Sequence, residues 1–144
     1  MDRDRPLLVL VSDIHLTDAL HGASIPRADT FERFWLRIDA ARGARPAHLC
    51  FVGDLFDIVR SPSWLDTALR PYHEPSAELA AHVDRIVAAM IERERPFFDA
   101  VRKRVESGAL AIDYVLGNHD RLLRIAPAAR RRVWAALTGQ DRDV

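Results

Sequence analysis

Three short motifs collect side chains able to hold a divalent cation: Asp13-x-His15, Gly53-Asp54-x-x-Asp57 and Gly117-Asn118-His119-Asp120. Carboxylates, imidazoles and an amide oxygen together suit a transition ion such as Mn, Fe or Zn. Asp13 and His15 are two residues apart, so in an extended chain they point the same way and can chelate one ion. A carboxylate at Asp54 has two oxygens and can bridge two ions. Two ions about 3.5–4 Å apart clamp phosphoryl oxygens and generate a hydroxide nucleophile at neutral pH. Each motif alone is weak, because Gly, Asp and Asn favour turns for their own backbone reasons. Their joint occurrence, each directly after an apolar run, is what carries the inference.

Those apolar runs are the elements that must position the motifs. Leu7–Val11 reads as a short parallel strand buried on both faces, Leu49–Val52 as a second and Leu110–Leu116 as a third. Between them the period changes. Phe31, Phe34, Trp35 and Ile38 fall at helical spacing, with Asp29 or Thr30 as cap and Gly43 just past the end. The Pro-containing stretch Ser61–Pro75 reads as loop. Ser76 then opens a helix with Leu79, Val83, Ile86, Val87, Met90 and Ile91 on one stripe. Pro96 stops or kinks it, a further helical segment runs to Gly108, and a last helix covers Ala128–Leu137 after Pro127. Strands alternating with helices predict an α/β fold with a mostly parallel sheet and flanking helices. Parallel strands share one C-terminal edge, where open α/β sheets bind ligands, and every motif falls at that edge.

With 144 residues the chain has the length of one domain. Lys plus Arg and Asp plus Glu both number 21, so net charge indicates no attraction to nucleic acid. The basic run Arg121, Arg124, Arg130, Arg131, Arg132 reads as a solvated helix face. Cys50 is the single cysteine and sits in an apolar run, the setting of a small buried hydrophobe. No apolar stretch approaches the ~20 residues that span a bilayer. The amino-terminal segment has no secretory pattern, which makes a cytoplasmic location the expectation.

From about Leu7 to Asp120 the three motifs resemble those of the calcineurin-like metallophosphoesterase superfamily: D-x-H, G-D-x-x-D and G-N-H-D/E. The resemblance implies the N-terminal half of an α/β/β/α sandwich. It implies hydrolysis of a phosphomonoester, phosphodiester or pyrophosphate bond by a dinuclear-metal hydroxide, on a small-molecule phosphate ester or nucleotide. It also implies roles. Asp13 and His15 would bind a first ion (Mn2+, Fe2+/Fe3+ or Zn2+), Asp54 would bridge to a second, and Asn118 would bind that second ion. His119 would act on the phosphoryl group or leaving oxygen as the catalytic residue, and Asp57 would orient it. Asp120 has a supporting part.

Two histidine motifs that complete the family's site, Gly-His and Gly-His-x-His, have no counterpart after His119. The domain over residues 1–144 is therefore expected to be incomplete, with one ion weakly held and the second site lacking ligands. An uncovered sheet face is expected to permit self-association. The alternative reading is a non-catalytic remnant that binds a metal, nucleotide or partner. His21, His48, His73 and His82 read as structural, His82 at a helix boundary, with a place at the site mouth the minor alternative for His21 because it follows the first motif closely. Where some relatives carry Arg after G-D-x-x-D this chain has Ile58, and Arg60 is the nearby substitute. The Trp64–Phe98 segment reads as a cover for the sheet.

Overall fold

A computed structural model describes residues 5–18 and 28–141. Strands β1 (Leu7–Val11), β2 (Ala47–Val52) and β3 (Leu110–Val115) form a parallel sheet in the order β1-β2-β3. Leu7 lies opposite Ala47, and Ala47 opposite Leu110, so the strands start flush and end at one edge together. The mixed α/β character and parallel sheet expected from the alternation are present.

Side chains alternate across the sheet with a period of two. Leu49, Phe51, Leu110 and Ile112 are buried on one face. Leu8, Leu10, Val52 and Val115 point the other way, and Leu8 and Leu10 are 60% and 64% exposed. The expectation that the first strand is buried on both faces is thus corrected. An all-apolar run cannot report that only one of its faces has a covering layer. Cys50 shares this open face and is half-buried rather than buried. On the same face His48 pairs with Asp113 at 2.7 Å.

Four helices follow from capping and periodicity: α1 (Ala28–Arg42), α2 (Ala77–Arg93), α3 (Arg95–Glu106) and α4 (Pro127–Thr138). α1 is described from Ala28, so Asp29 and Thr30 fall within its first turn. The Ser76 hydroxyl caps α2 by accepting the Leu79 N–H at 3.1 Å. Pro96 and Pro127 occupy the first turns of α3 and α4, where a missing N–H is tolerated. Gly43 (φ +59°) supplies the left-handed turn after α1. The Ser61–Pro75 segment is less irregular than expected, since Pro62–Asp66 is a 3-10 turn; two more lie at Ile58–Arg60 and Arg121–Ile125.

α3 packs against β3, while α2 and α3 both pack on α4. Phe97 meets Phe51 at 6.2 Å between ring centroids, and Phe98 stacks on Phe56 at 6.0 Å. Each such buried ring contributes about 1.5–3 kcal/mol relative to exposure. Of the Trp64–Phe98 segment, read as sheet cover, only the end at Phe97 and Phe98 makes these contacts; its helix α2 packs mainly on α4. His82 is buried rather than at a boundary; its ring lies 4.7 Å from that of Trp64, and its Nδ1 is 3.1 Å from Arg85. Burial first, then the Arg85 charge, hold its pKa below the ordinary value.

Candidate metal centre and acid–base pair

Past its strand ends the sheet does not simply stop. The Leu16 and Phe56 backbones form a further parallel bridge, and both side chains are fully buried. His15 N–H donates to the Asp54 carbonyl at 3.0 Å, Leu16 N–H to Leu55 at 2.8 Å, and Asp57 N–H back to Leu16 at 2.8 Å. These bonds lock together the loops that carry the first and second motifs. They also hold Asp13, His15 and Asp54 at φ +56°, +54° and +55°, the left-handed region. Asp tolerates that region and His does so at some cost, of order 1 kcal/mol. Three such residues in two adjoining loops form the kind of local strain that clusters at functional sites.

The third motif closes onto the second through glycine. A Cβ added at Gly117 would fall 2.1 Å from Asp54 Oδ1 and 2.6 Å from the Asp54 nitrogen. Only a residue without a side chain lets the β3 loop approach so closely. Asp120 completes the closure from within. It is fully buried and accepts the Gly117 N–H at 2.6 Å, the Leu55 N–H at 3.0 Å and the Tyr114 hydroxyl at 2.5 Å. Burial, then the Asp120 charge, push the Tyr114 phenol well above its ordinary pKa, so it stays a donor. Asp120 therefore does more than the sequence assigned to it. It ties two motif loops together. Tyr114 was not singled out at all; its signal is its place on the inward-facing parity of β3, with Leu110 and Ile112.

Two consequences for side-chain chemistry follow. Donor atoms of Asp13, His15 and Asp54 lie within 4.8 Å of one another. Asp13 Oδ1 and His15 Nε2 are 3.7 Å apart. That is too long for a hydrogen bond, and close to the ~3.4 Å separating two ligands about 2.1 Å from a tetrahedral ion. His15 Nδ1 is buried with no hydrogen-bond partner among the described residues. The oxygen-rich, one-imidazole set fits a divalent ion. Asp54 Oδ1 also accepts the His119 backbone N–H at 2.9 Å, which fixes the carboxylate.

Beside this set stands a second unit. His119 Nδ1 is 2.8 Å from Asp57 Oδ1, while Asp57 Oδ2 accepts the Arg60 Nε–H, also at 2.8 Å. Asp57 is buried and Arg60 is largely exposed, so the carboxylate anchors one imidazole and one guanidinium from below. An accepting carboxylate places the ring proton on Nδ1 and leaves Nε2 for other work. The His15 and His119 rings meet edge to face at 4.7 Å.

Of the sequence-derived candidates, Asp13, His15, Asp54, Asp57, His119 and Asp120 are thus brought together. Asn118 is exposed, and its backbone carbonyl accepts from Arg121 at 2.9 Å. His21 lies outside the described residues. His73 is taken up locally: its Nδ1 accepts the Arg70 N–H at 3.2 Å. In the basic C-terminal run, Arg132 makes a two-pronged pair with Asp84 and Arg130 bonds the Leu123 and Arg124 carbonyls.

No family model, no curated protein and no solved structure matches this chain.

Proposed function

We propose that this chain is a metal-dependent phosphoesterase domain of the calcineurin-like kind, acting on a phosphomonoester, phosphodiester or pyrophosphate bond. One observation supports this above others. The ends of three parallel strands bring an ion-sized Asp13–His15–Asp54 donor set to the side of an Asp57-anchored His119. Bound there, Mn, Fe or Zn would supply Lewis-acid charge and a nucleophile at neutral pH.

The remaining work belongs to the chain. Asp54 positions His119 by accepting its backbone N–H, and Asp57 holds the Nδ1–H and favours the imidazolium, whose Nε2 proton passes to the departing oxygen and leaves the ring neutral. Arg60, tethered by Asp57 through Nε alone, keeps its other N–H groups for an anionic substrate oxygen. A nucleotide or another small phosphate ester is the substrate class in view. Self-association through the open sheet face and a cytoplasmic location belong to the same proposal; no helix among the described residues is long and apolar enough to cross a membrane.

A second reading has an observation in its favour. A dinuclear centre would leave its second ion only Asp54 and the exposed Asn118 among the candidates, which does not fit a firmly held ion. On that reading the chain is a remnant that binds metal without turnover. Hydrolysis of p-nitrophenyl phosphate and bis(p-nitrophenyl) phosphate with Mn separates the two. Turnover that disappears in His119→Ala is expected; metal bound without turnover on either ester would establish the remnant.

A further inference from the structure

The donors near the strand ends form two groups, and these overlap at a single ring. Asp13, His15 and Asp54 make one; His15, Asp57 and His119 make the other, again with donor atoms within 4.8 Å of one another. The second group contains the pair just given a proton-transfer role. Its composition differs in kind from the first: two imidazoles and one carboxylate, against one imidazole and two carboxylates. Nitrogen-rich sets favour zinc and its neighbours, whereas carboxylate-rich sets suit harder ions such as Mn. The two rings are already in contact at 4.7 Å, and Asp57 is already 2.8 Å from His119. Little movement is needed for an ion to join them.

Both groups cannot be filled at once. A neutral imidazole has one nitrogen with a free lone pair, its other nitrogen carrying the proton. His15 can therefore serve one ion at a time. We infer that His15 is shared by two mutually exclusive cation sites, one with Asp13 and Asp54 and one with Asp57 and His119. Occupying the second site replaces the His119–Asp57 hydrogen bond and consumes the ring that the reaction uses. Harder cations gain little from a second imidazole and leave that hydrogen bond closed. An excess of a zinc-like ion fills the second site and switches the reaction off. This inhibitory consequence rests on the phosphoesterase reading; the shared-ring geometry does not.

Co2+ is the probe, because its visible absorption reports the ligand set, with stoichiometry from equilibrium dialysis and folding from circular dichroism. The wild-type chain is expected to bind one Co2+ at saturation. Asp13→Asn and His119→Gln are each expected to bind one ion, with spectra that differ from each other because each keeps a different site. His15→Gln is expected to weaken binding about tenfold or more, since losing even a group that only supports a ligand costs about 10–100-fold. The double variant D13N/H119Q should weaken binding similarly with His15 intact, which keeps the test valid if His15→Gln misfolds. Two ions on the wild-type chain, with one lost in His119→Gln, would overturn the exclusivity. Loss of binding in Asp13→Asn, with a wild-type spectrum in His119→Gln, would overturn the second site and leave the phosphoesterase reading standing. No binding by any form would remove both.

Discussion

Asp57 is the residue on which two functions meet, since one oxygen holds His119 and the other Arg60. Asp57→Asn keeps the shape and loses the charge that orders both partners. The proposed hydrolysis should fall about 10–100-fold in kcat, the usual penalty for removing an orienting carboxylate. KM should also rise if Arg60 is freed from its anchor, and a thermal melt should show the fold retained. An unchanged kcat would mean that His119 needs no orientation. Gly117 makes a different demand, because it is steric. Gly117→Ala places a methyl group 2.1 Å from the Asp54 carboxylate oxygen and 2.6 Å from the Asp54 backbone nitrogen, so the backbone as well as the side chain must shift. Overpacking of this kind costs about 1–3 kcal/mol. Urea denaturation should show that loss, accompanied by weaker metal binding because Asp54 is the group displaced.

At the scale of elements, α2 joins the Pro-rich segment to the helical layer through His82. The ring rests on Trp64, and the groups around it are Arg85 from α2 itself, Asp18 from the loop after β1 and the Ser63 backbone from the 3-10 turn. Asp18 in turn accepts from the Ser61 and Ser63 hydroxyls at 2.6 and 3.1 Å, so this junction also ties the first motif's loop to that turn. The folded-state pKa of His82 is lowered. Between its folded and unfolded pKa values the unfolded chain binds more protons, so stability rises with pH in that window. The His82 contribution is complete above about 6.5, the ordinary histidine value, and is lost as pH falls toward the folded pKa. Urea midpoints measured from pH 7.5 to 5 should therefore decline on the acid side. His82→Gln should flatten that decline; an identical slope in the variant would place the pH dependence elsewhere.

At the scale of the whole fold, the sheet is layered on one side only among the described residues. Leu8, Leu10, Val52 and Val115 line an exposed face whose polar mark is the His48–Asp113 pair. On the proposed self-association a second copy would meet this face, and the chain's net charge of zero opposes no approach. Sedimentation velocity should show association that increases with concentration. L8E/L10E should abolish it with little change in thermal midpoint, since both side chains already face solvent. A large drop in midpoint with association intact would point to a structural role for this face.

Much was legible in the sequence because it depended on local chemistry. Apolar runs ending in Asp or Asn, helical stripes, Ser76 as a cap and Pro at two helix starts each follow from short-range sterics and hydrogen bonding. They suffice for α/β alternation, a parallel sheet and the placement of three motifs at one edge. Tertiary structure alone decided which strand face is covered, because apolar periodicity in β1 is the same whether one layer or two exist. It decided that Asp120 is an internal latch with Tyr114, a role that depends on N–H groups from two different loops. It also decided that His15, Asp13 and Asp54 take left-handed backbones, a conformation set by the interlocking of two loops. Above all, it placed His15 between two donor sets. Sequence spacing reports which side chains can reach the edge, and only packing reports which of them come within one ion's reach.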